Sequence, residues 1–258
     1  MRDARRQRLT AALLGWYARE RRDLPWRRTR DPYRILVSEV MLQQTQVARV
    51  VPRYESWVER WPTAEALAAA PRAEVLLEWV GLGYNRRAVR LHEAAQAVAR
   101  DGWPEDLTTL PGVGPYTAAA LGAFAFGRHE VAVDTNAARV FARAGALEPP
   151  PGQAATFNQA TMELGARVCT ARRPRCGECP LTPGCPSSGA VPAPPPAAGP
   201  PRPRFEDTDR YVRGRVVAAL AAGEPLPQHV GDARLERAVA ALVRDGLVIR
   251  EGGALRLG

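Results

Sequence analysis

Lysine is absent from this sequence, and all 36 of its basic residues are arginine. A chain without side-chain amines cannot form a Schiff base through lysine, so lysine-dependent covalent catalysis is excluded. The sequence also lacks an apolar run of the roughly 18 residues that a membrane span needs, and its N-terminal segment lacks the apolar core of a secretory signal. We therefore expect a cytoplasmic protein without membrane attachment.

Negative charge is also scarce in this sequence. The 27 acidic residues leave a formal net charge of +9 and an isoelectric point of about 10.2. This balance indicates a polyanionic partner, with nucleic acid as the first candidate and a basic protein without such a partner as the alternative. Arginine suits a phosphate partner because its planar guanidinium can donate two parallel hydrogen bonds.

Strand patterns are missing before residue 246, whereas apolar residues recur at helical spacing through the first 186 residues. Asp31 is expected to cap the second helix, and Pro52 is expected to end it. We therefore predict an all-α domain over residues 1–186. The predicted helices are Leu9–Arg19, Pro32–Val51, Ala64–Ala70, Arg86–Arg100, Pro115–Phe126, Asn136–Ala146 and Gln159–Val168.

Two further segments follow this domain. Residues 187–204 are rich in proline, alanine and glycine and predict a semi-rigid linker. Residues 205–258 predict two helices, Thr208–Ala221 and Arg234–Asp245, and then two short strands around a Gly-Gly turn, Leu247–Arg250 and Ala254–Leu257. This order predicts a small winged-helix-like module, with a helical appendage packed on the main domain as the alternative.

The four cysteines are confined to one loop, at Cys169, Cys176, Cys179 and Cys185. Cysteines that form disulfides are usually more dispersed, so this cluster predicts a metal or cluster site in a reducing compartment. Four thiolates suit either one zinc ion or a [4Fe-4S] cluster, and ligand chemistry alone leaves both open.

A glycine-rich turn and two carboxylates carry further candidate chemistry. Gly112 and Gly114 allow a tight turn before Pro115, which starts a helix whose free N–H groups could bind an anion; an ordinary helix corner is the alternative. Glu39 lies in an apolar stretch, where desolvation would raise its pKa as a general acid requires; a solvated or arginine-paired glutamate is the alternative. Asp134 is predicted to cap a helix, and a carboxylate there could also stabilise positive charge on a sugar.

These features resemble the MutY-type adenine DNA glycosylases of the helix-hairpin-helix (HhH-GPD, endonuclease III-like) superfamily over roughly residues 24–185. The resemblance implies a two-lobed helix-hairpin-helix glycosylase fold, a [4Fe-4S] cluster on the four cysteines in preference to zinc, and a monomer that acts on double-stranded DNA at the nucleoid. The matching segments are Leu24–Arg27, Ser38–Gln46, Gly81–Tyr84, Leu110–Thr117, Val133-Asp134, Phe157–Gln159 and the cysteine loop.

The resemblance also implies a role for individual residues. Glu39 would protonate adenine at N7 and Asp134 would stabilise the sugar cation, with Tyr116 and Asn136 in the same catalytic set. Lyase relatives have a lysine where Tyr116 stands, so the implied reaction leaves an intact abasic site. The flipped base would lie among Trp26, Arg27 and Gln159, and DNA would be contacted by Gln44, Thr45, Tyr84, Gly112, Val113 and Gly114.

Two departures from the family concern recognition of the opposite base. The residues after the linker are too few for the Nudix-like domain that reads 8-oxoguanine, and Asn85 replaces the family's second tyrosine. We expect excision of adenine opposite guanine or 8-oxoguanine. Removal of uracil, thymine or another altered base is the alternative, and a non-enzymatic DNA-binding protein is a more remote one.

Overall fold

The structure is a computed structural model that describes residues 2–190, 203–227 and 231–258. Within those ranges it contains eleven α-helices and one two-stranded sheet, so the predicted all-α class is confirmed. Most of the predicted linker, at residues 191–202, lies outside the described residues. Among the described helices, none combines the length and the apolar character that crossing a membrane requires.

The helices begin and end close to the predicted positions in most cases. The C-terminal strands are β1 (Val248–Glu251) and β2 (Ala254–Leu257). The helices are α1 (Arg2–Glu20), α2 (Pro32–Leu42), α3 (Val47–Arg60), α4 (Ala64–Ala69), α5 (Arg72–Trp79), α6 (Arg86–Asp101), α7 (Pro115–Phe124), α8 (Thr135–Ala144), α9 (Ala154–Arg167), α10 (Asp209–Ala222) and α11 (Asp232–Arg244).

The prediction of a single helix ending at Pro52 is wrong. The second helix already ends at Leu42, and Gln44 follows with a φ of 55°, a left-handed conformation that interrupts the helix. Helix α3 then continues through Pro52. Proline removes one helical hydrogen bond, but α3 buries Val50, Tyr54 and Trp57 on one face, and this packing outweighs the local cost.

Contacts divide the chain into two compact units, each made of two separate stretches of sequence. The first unit comprises residues 1–35 and 113–198. Its core joins α1, α8 and α9 through buried side chains that include Leu13, Tyr17 and Phe157. Three of the four cysteines pack against this core, which places the start and the end of the cysteine loop on a rigid surface.

The second unit comprises residues 36–112 and 199–258. Trp57 and Trp79 are fully buried there and pack edge to face, with their ring centroids 5.5 Å apart. The C-terminal module groups with this unit, and it consists of α10, α11 and the antiparallel hairpin of β1 and β2. Gly252 and Gly253 have φ values of 55° and 85°, as the predicted Gly-Gly turn requires.

Candidate active site and cluster loop

Asp134 caps helix α8 in the first unit, as the sequence predicts. Its Oδ1 accepts a hydrogen bond of 2.6 Å from the Ala137 backbone N–H. Its Oδ2 accepts a second bond of 2.8 Å, from Nδ2 of Asn136. Both carboxylate oxygens are therefore held by donors, so the carboxylate is fixed in position and its charge is stabilised.

Asn136 connects this carboxylate to the cysteine loop through Arg139. Nη2 of Arg139 donates to Oδ1 of Asn136 at 2.7 Å, and its Nε donates to the carbonyl of Cys169 at 2.7 Å. Asn136 also lies directly against Gly165 of helix α9, where a Cβ atom would be 2.6 Å from Cβ of Asn136. A glycine is required at this point because any larger residue would push α8 and α9 apart.

The segment that leads to Asp134 is anchored by Asn158 of helix α9. This side chain is buried, its Oδ1 accepts a hydrogen bond from the Ala132 N–H at 3.1 Å, and its Nδ2 donates to the Glu130 carbonyl at 2.8 Å. Because the two bonds satisfy the backbone of an otherwise irregular segment, they determine where the chain enters α8. Asn158 is thus a structural partner of Asp134.

Arg27, one of the residues predicted to line a base pocket, belongs to a network of ion pairs around Glu163. Arg27 donates to the carboxylate of Glu163 at 2.7 Å, Arg22 donates to it at 2.8 and 2.9 Å, and Arg167 lies 3.6 Å from it. The side chain of Glu163 is completely buried. Burial raises the pKa of this carboxyl, but the hydrogen bonds from Arg22 and Arg27 outweigh that effect and hold the pKa at about 2.

Tyr17 contacts two of the three predicted pocket residues, Gln159 and Arg27. Its hydroxyl donates to Oε1 of Gln159 at 2.7 Å, and the guanidinium of Arg27 lies 5.5 Å from its ring centroid. Burial raises the pKa of the Tyr17 hydroxyl, so the hydroxyl keeps the proton that orients Gln159. Trp26 is buried in the short 3-10 helix Pro25–Arg27, immediately before Arg27.

Tyr116 is the second residue of α7 and is half-buried in the first unit. Its Oη lies 3.9 Å from Sδ of Met162, on the same helix that carries Asn158, Gln159 and Glu163. Helix α9 therefore positions side chains for the Asp134 segment, the predicted pocket and Tyr116 together.

Glu39 lies in helix α2, within a stretch in which every residue from Ile35 to Met41 is buried. Only 7% of its surface is exposed. The predicted burial of Glu39 is therefore observed, and it extends to every residue between Ile35 and Met41 rather than to one stripe of the helix. Ser38, next to it, is the other buried polar residue of this stretch.

Arg87 of helix α6 holds the end of α2 in the second unit. Its Nη1 donates to the carbonyls of Val40, Met41 and Gln43 at 2.8, 3.1 and 2.7 Å. Its Nη2 donates to Oγ1 of Thr45 at 3.2 Å. Burial lowers the pKa of the Arg87 guanidinium to about 10, so it remains charged at neutral pH. A cation at a helix C-terminus also opposes the negative end of the helix dipole.

The same guanidinium holds the loop that ends at Tyr84. Its Nη2 donates to the carbonyls of Leu82 and Gly83 at 3.1 and 3.0 Å. Tyr84 and Gln44 are the non-glycine residues with positive φ in the described part of the chain, at 49° and 55°. Both are exposed, so strained backbone presents two long polar side chains to solvent.

The glycine-rich turn has one glycine that its geometry demands. Gly112 has a φ of 79°, and a Cβ there would be 2.7 Å from Cβ of Arg90. Gly114 is extended and has open space around it, so the predicted need for two glycines is confirmed at only one position. Gly114 caps α7, Pro115 is the first helical residue as predicted, and Val113 between the glycines is buried.

The four cysteines line one cavity at the surface of the first unit. All four cysteines are half-buried, and Arg143, Val168 and Thr182 complete much of the wall of the cavity. Nη1 of Arg143 donates to Sγ of Cys169 at 3.4 Å and to the Thr170 carbonyl at 2.7 Å. Four soft donors around one cavity, with a cation beside them, fit an anionic iron–sulfur cluster. Among the described residues, no group of His, Cys, Asp or Glu side chains is arranged to hold a single metal ion.

Three residues with structural roles at the site, Tyr17, Arg87 and Glu163, were not predicted from the sequence. Each is identified by hydrogen bonds in the folded protein whose partners lie between 42 and 142 positions away in the chain. The one available signal was the motif that contains Gln159, because Glu163 follows it by one helical turn.

The chain is similar to known proteins over most of its length. Residues 37–164 match the model of the HhH-GPD superfamily of base excision DNA repair proteins, and residues 169–185 match the iron-sulfur binding domain of endonuclease III. An adenine DNA glycosylase of Mycobacterium tuberculosis is 46% identical over 92% of this chain and 89% of its own length. An adenine DNA glycosylase of Mycolicibacterium smegmatis is 46% identical over 92% of this chain and 91% of its own length.

A solved structure of a thermostable thymine-DNA glycosylase is also similar to this chain. It superimposes with a TM-score of 0.67 at 31% identity, covering 72% of this chain and 98% of that one. The match to the HhH-GPD model spans both Glu39 and Asp134, and the match to the iron-sulfur binding domain spans all four cysteines.

Proposed function

Because the chain belongs to the HhH-GPD superfamily of base excision DNA repair proteins, and to the adenine DNA glycosylases within it, we propose that it hydrolyses the N-glycosidic bond of adenine mispaired with guanine or 8-oxoguanine. It acts on double-stranded chromosomal DNA as a monomer and leaves an abasic site. The observation that carries this proposal is Asp134, whose two oxygens are held by the Ala137 N–H and by Asn136.

In the proposed mechanism Asp134 stabilises the sugar as its bond to the base breaks. Positive charge develops at C1′ and the ring oxygen in the transition state, and a carboxylate that is already oriented stabilises it without reorganising. The hydrogen bonds from the Ala137 N–H and from Asn136 fix the direction of the Asp134 carboxylate, as this role requires.

Glu39 is proposed as the general acid that protonates adenine at N7. Protonation makes the base a better leaving group, and a carboxylic acid can donate near neutral pH only if burial opposes its ionisation. The target base must first leave the helical stack, since its reacting atoms are inaccessible within a duplex. Arg27 and Gln159, held by Glu163 and Tyr17, are proposed to line the pocket that accepts it, next to Trp26.

The reaction is proposed to stop at the abasic site. Tyr116 occupies the position at which lyases of the resembling superfamily have a lysine, and the sequence contains no lysine elsewhere. Without a side-chain amine, no Schiff base forms with the opened sugar. Borohydride treatment of a reaction mixture should therefore trap no side-chain adduct with abasic DNA.

The chain carries a [4Fe-4S] cluster, held by Cys169, Cys176, Cys179 and Cys185. When bound, such a cluster supplies a redox-active group within a thiolate cage. Hydrolysis of a glycosidic bond transfers no electrons, so the residues described above carry out each step of the reaction. Arg139 and Arg143 bind the backbone that delivers Cys169 and thereby orient that ligand.

A panel of duplexes tests the proposed function. Each duplex carries one labelled strand with adenine opposite guanine, 8-oxoguanine, cytosine or thymine, or with uracil or thymine opposite guanine, and alkali reveals the abasic sites. We expect cleavage where adenine faces guanine or 8-oxoguanine. A second candidate, removal of thymine or uracil, is favoured by the similarity to the thymine-DNA glycosylase structure. Cleavage of only those duplexes would replace the first proposal.

Glu39→Gln tests the acid. The variant keeps the size of the side chain but cannot donate a carboxyl proton, so the single-turnover excision rate should fall by about a hundredfold or more. Binding to mispaired DNA should remain, which separates this variant from one that fails to fold. Excision by Glu39→Gln at the unaltered rate would remove Glu39 from the mechanism. A third possibility is a protein that only binds DNA, and it requires that the unmodified chain cleave none of the duplexes.

A further inference from the structure

Arg210, the second residue of α10 in the C-terminal module, contacts Tyr84 within the second unit. Its Nη1 donates a hydrogen bond to Oη of Tyr84. Its guanidinium carbon lies 5.1 Å from the centroid of the Tyr84 ring, which is a cation–π distance. The two residues are 126 positions apart in the sequence, so the contact exists only because the module folds against this part of the chain.

Arg210 is itself held in place by its neighbours. Its guanidinium carbon also lies 5.3 Å from the centroid of the Phe205 ring, and Phe205 packs edge to face on Tyr211 at 5.6 Å. Thr208 caps the first turn of α10 by accepting a hydrogen bond from the Tyr211 N–H. The backbone and the side chain of Arg210 are therefore both fixed before they reach Tyr84.

Tyr84 receives a second cation from Arg87, whose guanidinium carbon lies 5.6 Å from its ring centroid. The ring is 42% exposed and follows a strained backbone with a φ of 49°. An exposed aromatic side chain would ordinarily exchange among several rotamers, and each restraint that selects one of them lowers the entropy still to be lost on binding.

We propose that Arg210 is a positioning residue for Tyr84, through which the C-terminal module sets how strongly the protein distinguishes a mispair from a matched base pair. This inference rests on the proposed function, and it takes Tyr84, which the family resemblance implies is a DNA contact, as the residue that fills the gap left in the duplex by the flipped base. A ring that is already oriented loses less conformational entropy when it enters the base stack. The resulting gain in binding free energy applies only where a base pair opens easily.

The charge of the module supports a positioning role over general attraction to DNA. Residues 203–258 contain nine arginines and eight acidic residues, whereas residues 1–186 contain 26 arginines and 19 acidic residues. A module this close to neutrality contributes little to the counterion release that dominates non-specific binding. Specific contacts such as that of Arg210 are therefore the route by which the module would act on DNA recognition.

The test compares Arg210→Ala with Arg215→Ala, which removes an exposed arginine from the same helix and so the same charge. Equilibrium binding is measured on a duplex in which a cleavage-resistant adenine analogue faces 8-oxoguanine, and on the fully matched duplex. Fluorescence of 2-aminopurine beside the mispair reports the unstacking that Tyr84 causes. Arg210→Ala should lower the ratio of mispaired to matched affinity by about fivefold and reduce the fluorescence change, while Arg215→Ala should alter neither.

A double-mutant cycle with Tyr84→Ala identifies the route of the effect, since Arg210→Ala should change nothing further in that background. Equal ratios for Arg210→Ala and Arg215→Ala, an undiminished effect in the Tyr84→Ala background, or improved discrimination by Arg210→Ala would each overturn the inference. If the unmodified protein neither excises adenine nor prefers the mispair, the proposed function fails first. A normal preference that survives Arg210→Ala refutes only the role of Arg210.

Discussion

The two units of the molecule hold their functional side chains in different ways. In the first unit, Asp134 and Gln159 are bound by side chains or N–H groups that are themselves fixed, such as Asn136 and Tyr17. In the second unit, the exposed Gln44 and Tyr84 follow loops whose main-chain carbonyls are bound by Arg87. The first unit binds the functional groups directly, whereas the second binds the main chain of the loops and, at Tyr84, the side chain as well.

This difference matches what the two sets of residues are proposed to do. A group that stabilises a transition state must already be oriented when charge develops, so each of its atoms needs a partner. A side chain that enters DNA must be presented at the right place, and binding of the loop carbonyls by Arg87 fixes the point from which Tyr84 extends. The following variants test whether the division holds.

The largest effect is expected for Asp134→Asn. Asparagine caps a helix about as well as aspartate, so the free energy of unfolding should change by less than about 0.5 kcal/mol. Loss of the charge should nevertheless lower the excision rate by about a thousandfold. Single-turnover kinetics and urea denaturation measure the two quantities. Asp134→Ala, which also removes the cap, should add a stability loss of about 1 kcal/mol, and full activity in Asp134→Asn would contradict the proposed chemistry.

Glu163→Gln tests whether the first unit depends on its charged network. The variant leaves Arg22 and Arg27 without their buried partner, so the free energy of unfolding at neutral pH should fall by about 3 kcal/mol. Glu148→Gln removes a surface pair with Arg6 and should cost less than about 1 kcal/mol. Equal losses in the two variants would show that burial of the carboxylate carries no special weight.

The same carboxylate predicts a dependence of stability on pH. The pKa of Glu163 is lowered from 4.5 to about 2, so its contribution is complete above pH 4.5 and is lost as the pH falls towards 2. The difference in unfolding free energy between the unmodified protein and Glu163→Gln should therefore shrink across that interval. A difference that stays constant to the acid end would mean that Glu163 is not charged in the folded protein.

Arg87→Gln addresses the second unit. Glutamine cannot reach the carbonyls of both loops, so buried acceptors lose their donor and the free energy of unfolding should fall by about 2 kcal/mol. Arg86→Gln removes the same charge from an exposed position on the same helix and serves as the control. Because the loops carry Gln44 and Tyr84, the preference for mispaired over matched DNA should fall with Arg87→Gln alone. If Arg87→Gln keeps the preference for mispaired over matched DNA, the anchoring of the two loops by Arg87 is not needed for DNA recognition.

The smallest effect is expected for Gly112→Ala, compared with Gly114→Ala. Alanine at residue 112 would adopt a left-handed conformation and approach Arg90, which should cost about 1 kcal/mol. Alanine at residue 114 meets neither constraint and should be nearly neutral for stability. Thermal unfolding measures both changes. A larger loss at residue 114 than at residue 112 would contradict the assignment of the conformational requirement of the turn to Gly112.

Much of the fold and of the candidate site could be predicted because the signals are local. The cap at Asp134, the helix start at Pro115 and the Gly-Gly hairpin each depend on residues within four positions of one another. The end of α2 could not be predicted, since Gln44 adopts a positive φ that its residue type does not favour. The continuation of α3 through Pro52 depends on its buried face, which overrides a local preference.

The partners of the site residues were beyond prediction for a different reason. Glu163 is buried although isolated glutamates prefer water, and only the arrival of Arg22 and Arg27 from another part of the chain makes that possible. Arg210 is one of 36 arginines, and nothing in the sequence around it distinguishes it from the others. Long-range pairs of this kind leave no periodicity and no motif in the sequence.

Gly165 shows how little room the site leaves for change. The carboxylate of Asp134 is oriented by Asn136, and Asn136 rests on a residue that has no side chain at all. One added methyl group, at a position with no proposed role in the chemistry, would displace the amide that aims the charge. Alanine at residue 165 should therefore lower the catalytic rate and the stability together, because its Cβ would also meet the backbone oxygen of Asn136 at 2.8 Å.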